Sequence, residues 1–393
     1  GTTGLDRTLA ALDAHPNIEV RLYNPLMHRG LRALNFLADF ARANRRMHNK
    51  SFIADNQAAI IGGRNVGNEY FGAGGGVVFE DLDVLAVGPA VREASRAFDL
   101  YWNSASAYPA ASILEPAGPE ARAQLEKEFA ATHASPAAKS YLETLRKTPL
   151  VAQLVKGALP LDWAETRLVC DDPAKTLDTE ARTDLLLLPK LLHLAGPAEK
   201  RFDLISPYFV PGDEGTAALA ALARRGVRVN ILTNSLAASD VAAVHSGYAK
   251  RRKELLRAGV RLYELKPTAR AAEKKEGSAL GGSSSASLHA KTFGVDGKRL
   301  FVGSFNFDPR SARLNTEMGL VIDSPEVAQR IETAFDTTIP LEAWEVRLAE
   351  DGSLVWIERT PSGEKRYDSE PDVGLLKRLG IDILSILPIE GQL

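Results

Sequence analysis

Cysteine is almost absent from this 393-residue chain, which contains only Cys170. An internal disulfide framework and a cysteine-rich zinc site are therefore excluded. Net charge is also small, because 48 Lys and Arg nearly balance 50 Asp and Glu, and this argues against bulk non-specific binding of nucleic acid. The most apolar short stretch, residues 185–195, is interrupted by Pro189, Lys190 and His193. It falls short of the roughly 20 apolar residues that span a bilayer.

The sequence contains an internal repeat. Four distinctive residue types recur with one constant offset between the copies, as His48 and His289, Lys50 and Lys291, Asp55 and Asp296, and Asn65 and Asn306. The likeness extends upstream, where residues 20–23 recur as 260–263, and downstream, where residues 97–99 recur as 334–336. Because spacing is duplicated along with residue type, the chain is predicted to hold two copies of one lobe.

The second copy shows the elements of a full lobe. Strand and helix patterns alternate along it, over residues 201–206, 215–225, 227–233, 247–258 and 260–265. This alternation predicts an α/β fold, layered in the α+β manner, with a mainly β-sheet core flanked by helices in each lobe. The first copy begins only at the counterpart of the second helix. We therefore expect that Gly1 is not the natural N-terminus and that the first lobe is truncated at its N-terminal side.

Composition predicts four regions along the chain. They are a first lobe over residues 1–103, a helical connector over 104–165, a second lobe over 166–340 and a C-terminal extension over 341–393. Two apolar helical patterns have open interpretations. One is residues 375–387, and the other is a set of apolar residues at helical spacing among arginines: Leu31, Leu34, Leu37 and Phe40 or Ala41, with Arg29, Arg32, Arg42, Arg45 and Arg46. Each helix either packs on its own lobe or lies at an interface with anionic lipid. The Gly/Ser-rich residues 269–287 predict a mobile loop.

The repeated motif places a histidine and a lysine two residues apart, which on a strand puts imidazole and ammonium on one face. Small residues at 62–63 and 303–304 allow close backbone approach, and an asparagine follows as an uncharged donor. Such a set suits a phosphate group, and two identical spacings favour catalysis over a purely structural repeat. The alternative is a zinc site formed by His48, His289 and carboxylates. The lysine near each histidine would repel a cation, so we predict no metal or other cofactor.

The segments HNKSFIAD…GGRN and HAKTFGVD…GSFNFDPRSARLNTE resemble the paired HKD signatures of the phospholipase D superfamily. Residues 308–317 and the ending Leu387-Pro388-Ile389-Glu390 resemble bacterial cardiolipin synthases of the C type. The resemblance covers nearly the whole chain. It implies two phospholipase D lobes related by a pseudo-twofold axis, with both histidines at one cleft. It also implies a ping-pong exchange of phosphodiesters without metal.

The resemblance also assigns the site. The catalytic residues would be His48, Lys50, Asp55, His289, Lys291 and Asp296, and the substrate-binding residues would be Asn65, Asn306, Ser304, Glu317 and Arg64. By this analogy His48 attacks phosphorus and His289 protonates the leaving alcohol. The lysines and asparagines hold phosphoryl oxygens, assisted by Ser304. Both motif aspartates are expected to fix local structure rather than touch substrate.

Five residues near the two motifs have more specific expected roles. Glu317 is a candidate to orient a histidine, and Asp81 is its approximate counterpart in the first lobe. Arg64 stands where the second copy has a phenylalanine, and it either contacts a lipid phosphate or forms a salt bridge. Arg310 and Arg313 are expected to pair with nearby carboxylates.

The predicted function is transphosphatidylation, in which phosphatidylglycerol and a second phospholipid, such as phosphatidylethanolamine, give cardiolipin. The alternatives are a phospholipase D that uses water as the acceptor and an inactive lipid-binding scaffold. A nuclease is disfavoured because a polyanion needs a basic track. We expect phospholipids and a membrane surface as partners, no nucleic acid, and peripheral association with a bacterial inner membrane. The sequence leaves the oligomeric state and the leaflet open.

Overall fold

A computed structural model of the chain describes residues 4–30, 32–71, 78–177, 182–239, 241–267, 286–386 and 390–392. Most of the predicted mobile loop, up to residue 285, lies outside the described residues, as do Leu31 and residues 387–389.

Strands and helices alternate through the chain. The strands are β1 Arg21–Tyr23, β2 Ser51–Ala54, β3 Ala58–Gly62, β4 Val78–Glu80, β5 Asp83–Val87, β6 Ala107–Pro109, β7 Glu165–Cys170, β8 Arg201–Ile205, β9 Arg228–Asn234, β10 Arg261–Leu265, β11 Ala286–Leu288, β12 Thr292–Val295, β13 Arg299–Gly303, β14 Met318–Asp323, β15 Ala343–Leu348, β16 Leu354–Thr360 and β17 Gly363–Tyr367. The helices are α1 Asp6–Asp13, α2 Arg32–Ala38, α3 Phe40–Ala43, α4 Asn68–Phe71, α5 Pro89–Trp102, α6 Pro119–Ala134, α7 Pro136–Arg146, α8 Pro149–Val155, α9 Leu187–Ala195, α10 Gly212–Arg224, α11 Ala242–Ala249, α12 Arg252–Arg257, α13 Pro309–Arg313, α14 Pro325–Asp336, α15 Ile339–Glu342 and α16 Leu375–Ile386.

The chain divides into two compact units. The first is made of Gly1–Met47, Ala97–Trp163 and Thr176–Glu180, and the second of His48–Arg96, Ala164–Lys175 and Ala181–Leu393. Both copies of the repeated motif therefore belong to the second unit. The first unit contains the antiparallel pair β1 and β6 and a small core of Leu22, Ala110 and Leu114.

The second unit is organised around a ten-stranded sheet in the order β17-β16-β15-β10-β9-β8-β12-β13-β14-β7. Strand β9 pairs in parallel with both β8 and β10, and the remaining pairs are antiparallel. Side chains alternate across it, because successive residues of a strand point to opposite faces. Val229 and Ile231 of β9 join the larger core with Leu191 and Leu219 of the flanking helices, whereas Leu232 joins another cluster.

The first motif forms its own three-stranded antiparallel sheet, β2-β3-β5. This sheet packs against the large sheet through one apolar cluster, in which Ala59 and Ile61 of β3 contact the side of β14 that carries Met318, Leu320 and Ile322. A second connection is the parallel pairing of β4 with β11, directly before His289. A shared core and a shared ladder thus bring the two motif copies together.

Helix α16 covers most of the apolar pattern at residues 375–387. Ile381 is buried against Leu236 and Val373, while Leu379 and Ile383 remain exposed. No helix in the described parts of the chain combines the length and apolar character that crossing a bilayer requires.

Candidate active site

Each motif lysine folds back onto the histidine of its own copy. The ammonium of Lys50 donates to the carbonyl oxygen of His48 over 2.6 Å, and the ammonium of Lys291 donates to the carbonyl oxygen of His289. The two strands that follow, β2 and β12, fix these residues at equivalent positions in both copies. The motif residues 48–50 and 289–291 lie just before these strands and not on them, so each lysine is held through the backbone of its histidine.

Each histidine is held by a carboxylate from the other copy. Nδ1 of His48 lies 2.8 Å from Oε2 of Glu317, and Nδ1 of His289 lies 2.6 Å from Oδ2 of Asp81. The backbone follows the same exchange, because His48 N–H donates to the carbonyl of Thr316 and His289 N–H to that of Glu80. Both carboxylates are fully buried. The site thus consists of two interlocked histidine–carboxylate pairs.

Strand register makes the two carboxylates equivalent. Gly62 pairs with Asp83 in the first sheet, and Gly303 pairs with Gly319 in the second. Asp81 and Glu317 each stand two residues before that paired position. The approximate correspondence expected from sequence is therefore an equivalence in the fold.

The residue beneath each carboxylate differs between the copies. Ser304 donates its hydroxyl to Oε2 of Glu317 over 2.5 Å and accepts from the N–H of Met318. Its counterpart is Gly63, where an added Cβ would lie 2.4 Å from Oδ1 of Asp81. A serine therefore supports the longer carboxylate, while only glycine leaves room for the shorter one. This placement has Ser304 acting through Glu317.

Burial lowers the pKa of the basic groups at the site. It lowers the pKa of Lys50 to about 8 and that of Lys291 to about 7. It also lowers the pKa of His289 to about 4 and that of His48 below its usual value. Burial alone would raise the pKa of Glu317, but the charge and hydrogen bond of His48, with the charge of Lys50, hold it below the usual value.

These shifts define what the site can do at neutral pH. Both imidazoles are neutral, and because Nδ1–H donates to a carboxylate, the lone pair is on Nε2. No described residue hydrogen-bonds to Nε2 of His48 or His289. The lysines are close to their titration points, so an anion placed here would favour their charged forms. The arrangement presents two basic nitrogens and two ammonium groups to an anionic ligand.

Aromatic residues that sequence reasoning missed surround His289. The ring of Tyr70 meets the imidazole edge-on with centroids 5.0 Å apart, and the ring of Phe79 lies 5.2 Å away. The Tyr70 hydroxyl accepts from Nδ2 of Asn65 over 2.7 Å. These two aromatic residues belong to a segment without a close repeat in the second copy, so the internal repeat gave no signal for them.

The second asparagine has a different environment. Asn306 is buried, and its Oδ1 has no hydrogen-bond partner among the described residues. A buried amide oxygen without a partner is unfavourable, so this side chain is suited to binding a ligand.

Three of the sequence-assigned residues do not point to the histidines. The carboxylate of Asp296 accepts the backbone N–H groups of residues 199–201, beyond the far end of β12. Asp55 and Asp296 occupy matching hairpin turns with positive φ, 51° and 54°. Arg64 is bound by Asp83, with Nε 2.6 Å from Oδ2, and it also donates to the carbonyl of Tyr70. This is the salt-bridge alternative for Arg64.

Within the described residues, no group of three or more His, Cys, Asp and Glu side chains could hold a metal ion.

Comparisons with known proteins extend these observations. A family model described as the PLD-like domain of cardiolipin synthase matches residues 191–339. The chain is 47% identical over 392 residues to cardiolipin synthase C of Escherichia coli strain K12, covering 100% of this chain and 82% of that protein. It is 31% identical over 387 residues to an uncharacterized protein of Helicobacter pylori strain J99, covering 96% of this chain and 74% of that protein.

A solved structure also matches. The crystal structure of phosphatidylserine synthase from Haemophilus influenzae Rd KW20 superimposes with a TM-score of 0.50 at 16% identity, covering 88% of this chain and 71% of that chain. This similarity concerns the fold, and it confirms the predicted two-lobed α/β architecture.

Proposed function

The chain belongs to the phospholipase D superfamily as a cardiolipin synthase-like phosphatidyltransferase, and we propose that it transfers the phosphatidyl group through a phosphohistidine. The observation that carries this proposal is the reciprocal pairing of His48 with Glu317 and of His289 with Asp81. Each pairing leaves Nε2 of one imidazole to act on a phosphodiester. Two such nitrogens are needed, one to form a bond to phosphorus and one to move a proton.

In the first half-reaction, Nε2 of His48 attacks phosphorus and the bond to the leaving alkoxide breaks. Nε2–H of His289 gives its proton to that oxygen, so a neutral alcohol departs. Glu317 stabilises the positive charge that develops on His48, as a buried carboxylate does for an attacking or basic imidazole. Lys50 and Lys291 bind the non-bridging oxygens, and Asn65 is positioned nearby.

His289 needs a proton before it can act as an acid, although burial lowers its pKa to about 4. A bound phosphodiester adds a negative charge beside the imidazole, which raises its pKa. The carboxylate of Asp81 contributes in the same direction. Substrate binding thus favours the protonated form of His289, which acts as the acid.

In the second half-reaction the roles reverse. Nε2 of His289 takes the proton of the acceptor hydroxyl, the acceptor oxygen attacks phosphorus, and the bond to His48 breaks. With the glycerol hydroxyl of phosphatidylglycerol as acceptor, the product is cardiolipin. With water as acceptor, it is phosphatidic acid, which is the phospholipase D alternative.

The lipids and their location follow from the same proposal. Phosphatidylglycerol is one substrate and a second phospholipid, phosphatidylethanolamine among the candidates, is the other, taken from a bacterial inner membrane to which the protein binds peripherally. Support comes from apolar side chains on the first unit, where Leu37 is 83% exposed and Phe40 is 55% exposed beside arginines. Trp163 and Val155 of the same unit are each 82% exposed, and tryptophan favours the membrane interface.

Product analysis tests the function. The protein is supplied with isotope-labelled phosphatidylglycerol, with and without phosphatidylethanolamine, in mixed micelles, and the products are identified by mass spectrometry. We expect labelled cardiolipin, absent with His48→Ala. Phosphatidic acid alone would establish the hydrolase, and no product with retained lipid binding would establish the scaffold.

A further inference from the structure

A large cavity lies in the second unit, on the side of the ten-stranded sheet that is covered by α9 and α10. Its volume is about 910 Å³, and its walls are mainly apolar. Leu188 and Leu192 of α9, Ala218 and Leu222 of α10, and Phe202 and Phe293 of the sheet are among the residues that line it. Pockets for small organic ligands measure about 300–1,000 Å³. The cavity has the size and chemistry of a ligand pocket.

The cavity extends toward the histidine site. Thr292, the residue after Lys291, lines the cavity. Phe305 and Phe307, which lie on either side of Asn306, line it as well. The apolar space therefore reaches the residues directly next to two groups that would bind the phosphodiester.

Charged residues form part of the rim. Arg313 pairs with Glu214 across 3.1 Å, and both side chains are exposed. Lys250 pairs with Glu390, and these four residues also border the cavity. Apolar walls inside and ion pairs at the edge suit an amphiphile whose hydrocarbon part is buried.

We propose that this cavity holds an acyl chain of the glycerophospholipid whose phosphodiester occupies the histidine site. This inference rests on the proposed function, because the phosphodiester at the histidines is what places the chain near Thr292, Phe305 and Phe307. A saturated or mono-unsaturated chain needs no polar partner, and the apolar walls offer few. The cavity would make the enzyme selective for chain length.

Chain-length kinetics with paired variants test this inference. Ala217 and Ala218 are neighbours on α10 and both are exposed, but only Ala218 borders the cavity. Ala218→Phe should lower kcat/KM for dioleoyl phosphatidylglycerol about tenfold or more, through KM, because the ring occupies space needed by a long chain. Turnover of dihexanoyl phosphatidylglycerol should change by less than about twofold, as should turnover of both lipids with Ala217→Phe. Equal effects of both variants on both lipids would overturn the assignment.

A second variant and a binding readout separate this inference from the proposed function. Leu192 of α9 also lines the cavity, and its side chain is 60% exposed. Leu192→Trp therefore provides a second way to obstruct the cavity if Ala218→Phe fails to fold. Phosphatidylglycerol with a diazirine at the end of one chain is photolysed on the His289→Ala protein, which needs no turnover. We expect cross-links in peptides of α9 and α10, reduced by either variant.

The outcomes are distinct. Cross-links at α9 and α10 in His289→Ala, together with no cardiolipin or phosphatidic acid production by the unaltered protein, would support the cavity assignment and contradict the proposed function. Product formation with cross-links only elsewhere would overturn the cavity assignment and leave the function standing. The same photolysis is repeated with oleic acid that carries a diazirine. Labelling of the cavity by this free fatty acid but not by the phospholipid would contradict the proposal that the bound acyl chain belongs to a phospholipid.

Discussion

The two halves of the histidine site use the same motif in different surroundings. Strand β2 of the first copy has three exposed residues of four, whereas all four residues of β12 are buried. Phe52 is 68% exposed, and its counterpart Phe293 is 9% exposed. The histidines follow the same trend, with 24% exposure for His48 and 5% for His289. A duplicated sequence thus gives two chemically different halves.

Burial explains why the difference matters. The buried ammonium of Lys291 has the lower pKa, about 7 against about 8 for Lys50, because desolvation penalises charge. Placing one copy inside a large sheet and the other on a small one thus gives the two motif lysines different proton affinities without changing the motif.

The largest expected effect separates the roles of the histidines. Alanine at His48 or His289 should lower phosphatidyl transfer on the order of 10⁴-fold, because each supplies a step that no neighbour replaces. With a phosphatidyl 4-nitrophenyl ester the leaving group needs no proton. His289→Ala should then recover a burst of nitrophenolate, measured by absorbance, and His48→Ala should not. His193→Ala serves as the control, and recovery by His48→Ala instead would reverse the assigned roles.

Substitution of the two carboxylates should have the next largest effect on activity. Glu317→Gln and Asp81→Asn should each lower kcat by about 10²- to 10⁴-fold, because the amide no longer orients the imidazole or stabilises its charge. Glu317→Gln should have the larger effect, since Ser304 and Lys50 also interact with that carboxylate. Exposed Glu326, changed to Gln, is the control.

A pH profile shows whether these carboxylates act on the histidines. Removing the negative charge of Glu317 lowers the pKa of His48, so the acidic limb of kcat/KM should move to lower pH. A loss of activity with an unmoved limb would indicate a structural role only.

The lysines predict an alkaline limit to binding. Protonated ammonium attracts the phosphodiester, and this attraction is lost as pH rises through the pKa in the folded protein, so kcat/KM should begin to fall above about pH 7. Lys291→Met should lower kcat/KM at pH 6 by about 10- to 100-fold. It should also move the alkaline fall of kcat/KM toward pH 8, because the pKa of the remaining lysine, Lys50, is about 8. An unchanged limb would assign the titration to another group.

The smallest effects concern the motif aspartates and should appear in stability. Asp296→Asn should lower the free energy of unfolding by about 1–2 kcal/mol, since the carboxylate accepts three backbone N–H groups. Asp55 has no such contacts among the described residues, and Asp55→Asn should stay within about 0.5 kcal/mol. Asparagine tolerates the positive φ at both turns. Urea unfolding measures both, and lost activity without lost stability would contradict this role.

The pH dependence of unfolding also tests the stabilising role of Asp296. Burial alone would raise the pKa of Asp296, but the backbone hydrogen bonds hold it below the usual value. The stabilisation is present above the pKa of the unfolded state and is lost as pH falls through the pKa of the folded state. The difference between wild type and Asp296→Asn should therefore shrink at low pH.

Sequence patterns predicted much of the site and less of its surroundings. The repeated spacing predicted that His48 and Lys50 occupy the same local environment as His289 and Lys291, because spacing is a local property of the chain, but these residues precede the strands on which they were expected. The approximate alignment of Asp81 with Glu317 suggested both carboxylates but not their partners. Tyr70 and Phe79 escaped notice, because the segment that carries them has no repeat to compare with.

The sequence by itself determined which chemical groups occur, their spacing and their duplication, since these depend on order along the chain and on strand geometry. Only the tertiary structure decided which carboxylate serves which histidine, because the partners lie 269 and 208 positions apart and meet only when the two sheets pack together. Packing likewise decided how much water each copy retains. Proton affinity in a protein depends on that exposure as much as on residue type, so two identical motifs acquired different chemistry.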